Sequence, residues 1–178
     1  MKTRVARTAG RLRSDAGLSL LEVVIAMSIL LVLGLGLLPL GIMAVSTTEN
    51  EGHLVARATE YSQDKMEQLL SLAYNDASTD TRVFPAAVSG GTGLAVGGSA
   101  IPGAPVARYV DYLDSSGNLV AGVGTNPPAD WFYKRVWQVS SPSTNMKQVA
   151  VTTIVVRSIG RAGRTPQATL IALKSYPF

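Results

Sequence analysis

Polar and apolar positions divide this chain into four stretches of different character. After a basic start, positions 23–48 hold no charged residue. The most apolar part, 23–45, would extend about 34 Å as a helix at ~1.5 Å per residue, enough to cross a hydrocarbon core of ~30 Å. From 49 to 73 the pattern changes. Val55, Ala58, Ser62, Met66, Leu69 and Ala73 recur at steps of three and four, which places them on one face of a helix. Tyr74, Asn75, Asp76 and the polar run to Asp80 end that helix. Positions 85–105 are rich in Gly, Ala, Pro and Ser and read as a long loop. Beyond it, 106–113, 119–123, 131–139, 147–158 and 168–176 are dense in Val, Ile, Thr and aromatic residues and predict strands. Asp114-Ser115-Ser116-Gly117-Asn118 supplies a turn, and 159–166 a loop. Along 131–139, Tyr133, Arg135, Trp137 and Val139 share a face.

Short connections between successive strands imply an antiparallel sheet with one apolar face laid on the helix stripe. The expected fold class is α+β: a long N-terminal α-helix, membrane-spanning in its first half, packed by its second half on a C-terminal antiparallel β-sheet. The expected divisions are a leader at 1–17, an apolar helix at 18–48, its amphipathic continuation at 49–76 and a β-rich head at 77–178.

Charge sharpens this division. The chain of 178 residues carries a net charge of +4, and residues 1–17 account for all of it, with Lys2, Arg4, Arg7, Arg11 and Arg13 against Asp15. The remainder is neutral and gives no reason to expect steering towards nucleic acid. Basic residues ahead of the apolar run place the N-terminus in the cytoplasm and the head on the far side of the membrane. A secretory signal peptide competes with this reading, and Ala44-Val45-Ser46 is a passable small-x-small site, but its apolar region usually ends after ~7–15 residues. Glu22 fits neither a signal peptide nor a plain anchor, because a carboxylate in a membrane-going stretch is costly and usually tied to function.

The string Asp15-Ala16-Gly17-Leu18-Ser19-Leu20-Leu21-Glu22-Val23-Val24-Ile25-Ala26-Met27 resembles the class III signal of type IV pilins and type II secretion pseudopilins. The resemblance implies cleavage by a prepilin peptidase between Gly17 and Leu18, N-methylation of Leu18, and a role for Glu22, fifth from the new terminus, in assembly and register. It further implies a helix kink at Pro39 and, as partners, other pilins, the peptidase, an inner-membrane assembly platform and membrane lipid before assembly. Leu at the first mature position and Ser where Thr is commoner are mild departures. Tyr133-Lys134-Arg135-Val136-Trp137, Val149-Ala150-Val151-Thr152 and Leu170-Ile171-Ala172-Leu173-Lys174 resemble minor pilins of the pilus-modification kind.

The residues themselves give this spacing a chemical logic. Glycine before the scissile bond leaves the backbone unshielded. Cleavage after it creates an ammonium four residues from the Glu22 carboxylate. A neighbour's ammonium could neutralise Glu22 within a bundle of apolar rods, fixing their stagger; alternatively Glu22 simply reaches up to the headgroups. Gly34, Gly36, Gly41 and Pro39 weaken the helix locally.

Other chemistry is sparse. No cysteine occurs, which excludes thiolate catalysis and Cys-based metal sites and leaves the C-terminal region to be held by strand pairing alone. His53 is the single histidine, so no His cluster can form, and it reads as a solvated side chain. No phosphate loop or nucleophile elbow is found, and no catalytic residue, metal or cofactor is assigned. Asp111 and Asp114 are candidates for a calcium loop, against a plain hairpin turn. Arg157, Arg161 and Arg164 read as a solvated hairpin tip, against an anion contact. The expected function is a non-enzymatic filament subunit, a minor type IV pilin. A secretion pseudopilin, or a non-polymerising membrane protein with a periplasmic binding head, stands as the alternative.

Overall fold

A computed structural model describes residues 19–120, 124–156 and 165–176. The chain divides into two compact units, Met1–Ala44 and Val45–Phe178. Helix α1 runs Leu20–Ser71 and contributes to both.

In the first unit the helix is apolar on every side. Leu20–Val45 is long and apolar enough to cross a membrane, and none of it is buried. Leu20 is 85% exposed and Leu30 74%, so this unit makes no core of its own. A helix hydrophobic all round needs lipid or other helices to cover it.

The second unit is the α+β head expected from the sequence. Its strands are β1 (Gly97–Gly98), β2 (Val110–Leu113), β3 (Leu119–Val120), β4 (Tyr133–Ser143), β5 (Met146–Val155) and β6 (Gln167–Ser175). All pair antiparallel in the order β3-β2-β4-β5-β6, and β1 extends the β2 edge by pairing with β4 at Val139 and Gln138. β4 and β5 are the long central pair, with Trp137 opposite Val151 and Val139 opposite Val149. Alternation along β4 sends Tyr133, Arg135, Trp137 and Val139 to one face, and all four are buried.

The helix stripe meets that face. Met66 and Leu69 pack with Trp137, Val139, Val149, Val151, Tyr109 and Leu94, while Tyr61 packs with Leu113, Tyr133 and Val155. Ser62, fully buried, donates to Thr153 Oγ1 on β5 at 2.7 Å. Ala58, Ser62, Met66 and Leu69 are buried as the periodicity requires, whereas Val55 and Ala73 at the two ends of the stripe stay exposed. The opposite face of the sheet carries a smaller cluster of Val110, Tyr112 and Val136 beside Trp131.

Several boundaries differ from expectation for identifiable reasons. The strand expected from 106 begins at Val110, because Arg108 adopts φ 70°, a left-handed conformation that interrupts an extended run. The Gly-rich loop contains strand β1, where Gly98 at φ 79° comes so close to the Trp137 carbonyl that a Cβ would collide with it. The loop is also pinned by backbone hydrogen bonds: Asp80 and Ala87 pair in both directions, and Gly91, Gly93 and Leu94 donate to the carbonyls of Ser78, Thr79 and Asp76.

The C-terminal strand is held by more than strand pairing, which corrects the sequence reading. Lys174 on β6 donates to the Leu70 carbonyl at the end of α1, and the Tyr176 ring meets Tyr74 edge-on at 5.1 Å. From β5, Lys147 donates to the carbonyls of Tyr74 and Leu94 at 2.7 and 2.8 Å. The last turn of α1 contains no basic residue, so lysines from the sheet satisfy the carbonyls at and just beyond its end.

Candidate functional site

The residues of the N-terminal signal fall on both sides of the described boundary. Gly17 and Leu18 lie outside the described residues. Ser19 and Glu22 lie within them and form a helix start: the Glu22 backbone N–H donates to Ser19 Oγ at 3.2 Å and to the Ser19 carbonyl at 3.0 Å. Ser19 is the N-cap and Glu22 the third helical residue, so the Ser19 hydroxyl oxygen caps the first turn. The sequence reading treated Ser19 only as a departure from Thr. The Ser-x-x-Glu spacing was the available signal for its capping role.

Glu22 therefore sits in the first turn, where the helix dipole favours a carboxylate. It is exposed, and among the described residues it has no ion-pair partner. Pro39 lies inside α1, which continues through it; the ring removes one backbone hydrogen bond to the preceding turn. A Cβ on Gly34, Gly36 or Gly41 would meet nothing within 4 Å, so these glycines leave the backbone bare rather than accommodating a neighbour within the chain.

The head contains a buried charged cluster that sequence reasoning missed. Lys65, fully buried on α1, donates to Asp111 Oδ2 at 2.8 Å and to the Thr81 carbonyl and hydroxyl at 2.6 and 2.8 Å. Its ammonium also lies 4.1 Å from the centre of the Trp137 ring. Arg135 on β4 grips the same carboxylate in a fork, Nε to Oδ1 at 2.7 Å and Nη2 to Oδ2 at 2.8 Å. One carboxylate on β2 thus serves two cations, one from α1 and one from β4. Burial works against ionisation of Asp111, yet Arg135 and Lys65 outweigh it and hold the carboxyl below its usual range. Burial pushes the Lys65 ammonium down to about 8, with Asp111 opposing and Arg135 reinforcing the shift.

This geometry disposes of the calcium reading. Asp111 is committed to Lys65 and Arg135, while Asp114 closes its own turn by accepting from the Ser116 and Asn118 backbone and from the Asn118 side chain. Gly117 in that turn has φ 89°, and a Cβ there would fall 2.5 Å from the Tyr61 hydroxyl. The turn is a plain hairpin packed against the helix. His53 is exposed on α1, as expected. Arg157, Arg161 and Arg164 lie outside the described residues.

No curated protein and no solved structure matches this chain. The informative comparison is with a family model, and it falls on the residues just ahead of α1 and on the first part of that helix. The model of the prokaryotic N-terminal methylation motif matches residues 12–38.

Proposed function

We propose that the chain is the precursor of a filament subunit, a minor type IV pilin, processed between Gly17 and Leu18 and N-methylated on Leu18. The observation that carries this reading is the coincidence of the methylation motif at residues 12–38 with the start of an apolar helix whose 26 residues Leu20–Val45 bury nothing. Such a helix is stable in a bilayer before assembly and in a bundle of identical rods afterwards. The partners are accordingly a prepilin peptidase, an inner-membrane assembly platform and other pilins. The basic segment stays cytoplasmic and the head lies in the periplasm until assembly. The role is structural and non-enzymatic.

Glu22 has a defined part in this proposal. Cleavage before Leu18 places an ammonium at the positive end of the helix dipole, where a cation is disfavoured. The Glu22 carboxylate of a neighbouring subunit supplies the compensating charge, and the polar pair sets the stagger between apolar helices. Pro39 and its neighbouring glycines provide a place where the helix bends within the filament.

Replacing Gly17 tests the processing step. A bulky residue, as in Gly17→Leu, shields the scissile backbone. In cells with active prepilin peptidase it should leave at least nine-tenths of the protein as a slower-migrating, membrane-bound precursor on immunoblots. Complete processing of Gly17→Leu would count against cleavage at this bond.

A further inference from the structure

Residues 18–178 carry as many basic as acidic residues, but the charges are not balanced locally. Around Thr81, three cations (Lys65, Arg82 and Arg135) face two carboxylates, Asp80 and Asp111. Both carboxylates are fully used: Asp111 by Lys65 and Arg135, and Asp80 by Arg82, whose Nε and Nη2 donate to it at 2.8 and 2.7 Å. One positive charge is therefore left without a counter-charge in a largely buried setting, where Arg135 adds to the downward shift that burial imposes on Lys65.

A cleft opens at this place. Its volume is about 560 Å³, and it is lined by Gln68 of α1, Arg82, Val83 and Phe84 of the following segment, Leu119 of β3 and Arg135. That volume falls within the ~300–1,000 Å³ of small-ligand sites. Donor capacity remains on its walls. Among the described residues, Arg82 Nη1 makes no hydrogen bond, and the only partner of Arg135 Nη1 is the Tyr61 carbonyl at 3.4 Å, near the limit of the interaction. The Gln68 side-chain amide is likewise unpaired. The same lining carries apolar side chains, with Phe84 87% exposed and Val83 45% exposed. A polyanion is a poor match, since only one positive charge is in surplus.

We propose that this cleft is a binding site for a monocarboxylate with an apolar body, its carboxylate held by Arg82 and Arg135 and its apolar part lying against Val83, Phe84 and Leu119. The Nη1 group of each guanidinium, the part not committed to Asp80 or Asp111, supplies a charge-assisted hydrogen bond to the carboxylate. The bound carboxylate completes the local charge balance. A free aliphatic or aromatic acid carries this chemistry, and so does a Glu side chain beside an apolar residue in a peptide.

The test is a titration of the full chain in detergent micelles, following the arginine Nε–H resonances by nuclear magnetic resonance, with 3-phenylpropionate as the probe. Saturable shifts of Arg82 and Arg135 are expected, and 3-phenylpropanol, which lacks the charge, should produce none. Phe84→Ala should weaken binding several-fold. Gln68→Glu, which places a competing carboxylate inside the cleft, should weaken it at least tenfold while leaving the circular dichroism unchanged. Binding of the acid and the alcohol with equal affinity, undiminished binding to Gln68→Glu, or no saturation by 50 mM acid (~50 mM being a generous ceiling for a specific small-ligand site) would overturn the proposal. Tighter binding of N-acetyl-Phe-Glu-amide than of 3-phenylpropionate assigns the carboxylate to a protein partner, and the reverse order assigns it to a free acid.

Discussion

Asp111→Ala should unfold the head at markedly lower denaturant than wild type. The substitution leaves Lys65 and Arg135 buried side by side with no counter-charge, and breaking a buried pair in this way costs ~3–5 kcal/mol. Lys65→Met should cost less than half as much. It removes the surplus cation, keeps the Asp111–Arg135 fork, and places a thioether against Trp137; its penalty is the donor lost to Thr81. Denaturation of the full chain in detergent, followed by near-ultraviolet circular dichroism of Trp131 and Trp137, measures both. An Asp111→Ala midpoint equal to wild type would remove the cluster from the account of stability.

The same cluster makes a signed pH prediction. Burial pushes the Lys65 ammonium down to about 8 in the folded head from its ordinary 10.5, so between these values the unfolded chain binds more protons and stability rises with pH. Burying the ammonium is costly below pH ~8, and that cost is relieved by about 2–3 kcal/mol as the pH approaches ~10. Above ~10 the trend reverses, because burial raises Tyr112 and Tyr133 and holds them protonated in the folded state. Lys65→Met should lack the rise. On the acid side, Asp111 is held below 3.8, so its contribution is present above that value and is lost as the pH falls through the folded pKa.

The second large effect concerns assembly. Glu22→Ala leaves the bond between Gly17 and Leu18 untouched but removes the carboxylate proposed to meet a neighbour's ammonium. We expect cleaved, folded, membrane-resident protein whose amount in the sheared filament fraction falls at least tenfold, since a stranded charge in an apolar bundle outweighs marginal helix packing. Glu22→Gln should be milder, because an amide oxygen still accepts a hydrogen bond from an ammonium. If Glu22 only reaches the headgroups, both variants incorporate at wild-type levels. Quantitative blotting of sheared and membrane fractions separates the two cases.

Elements with strong periodicity were legible in the sequence, and those set by tertiary contact were not. Ala58, Ser62, Met66 and Leu69 declared a helix face, and the alternation from Tyr133 to Val139 declared a buried strand face, because both patterns come from burial on one side. Lys65 was passed over for the same reason: adjacent to Met66 on the stripe, it reads as a solvated charge until Asp111 and Arg135 arrive from distant strands. The carboxylate of Asp111 was visible, but its partners lie 24 and 46 positions away along the chain, and no local spacing connects them. Strand β1 consists of two glycines, and glycine carries no strand preference. At the N-terminus the opposite holds. Basic leader, Gly17, Ser-x-x-Glu and apolar run are local and in register, and the motif was recognisable from the residues alone.

The central claim is that this chain is a prepilin, and intact-mass analysis of protein extracted from membranes of cells with an active prepilin peptidase tests it most directly. The account predicts a single species lacking residues 1–17 and carrying one added methyl group on Leu18. Protein that retains Met1 to Gly17 in those cells, or that begins after the Ala44-Val45-Ser46 stretch as a conventional signal-peptide product would, contradicts it.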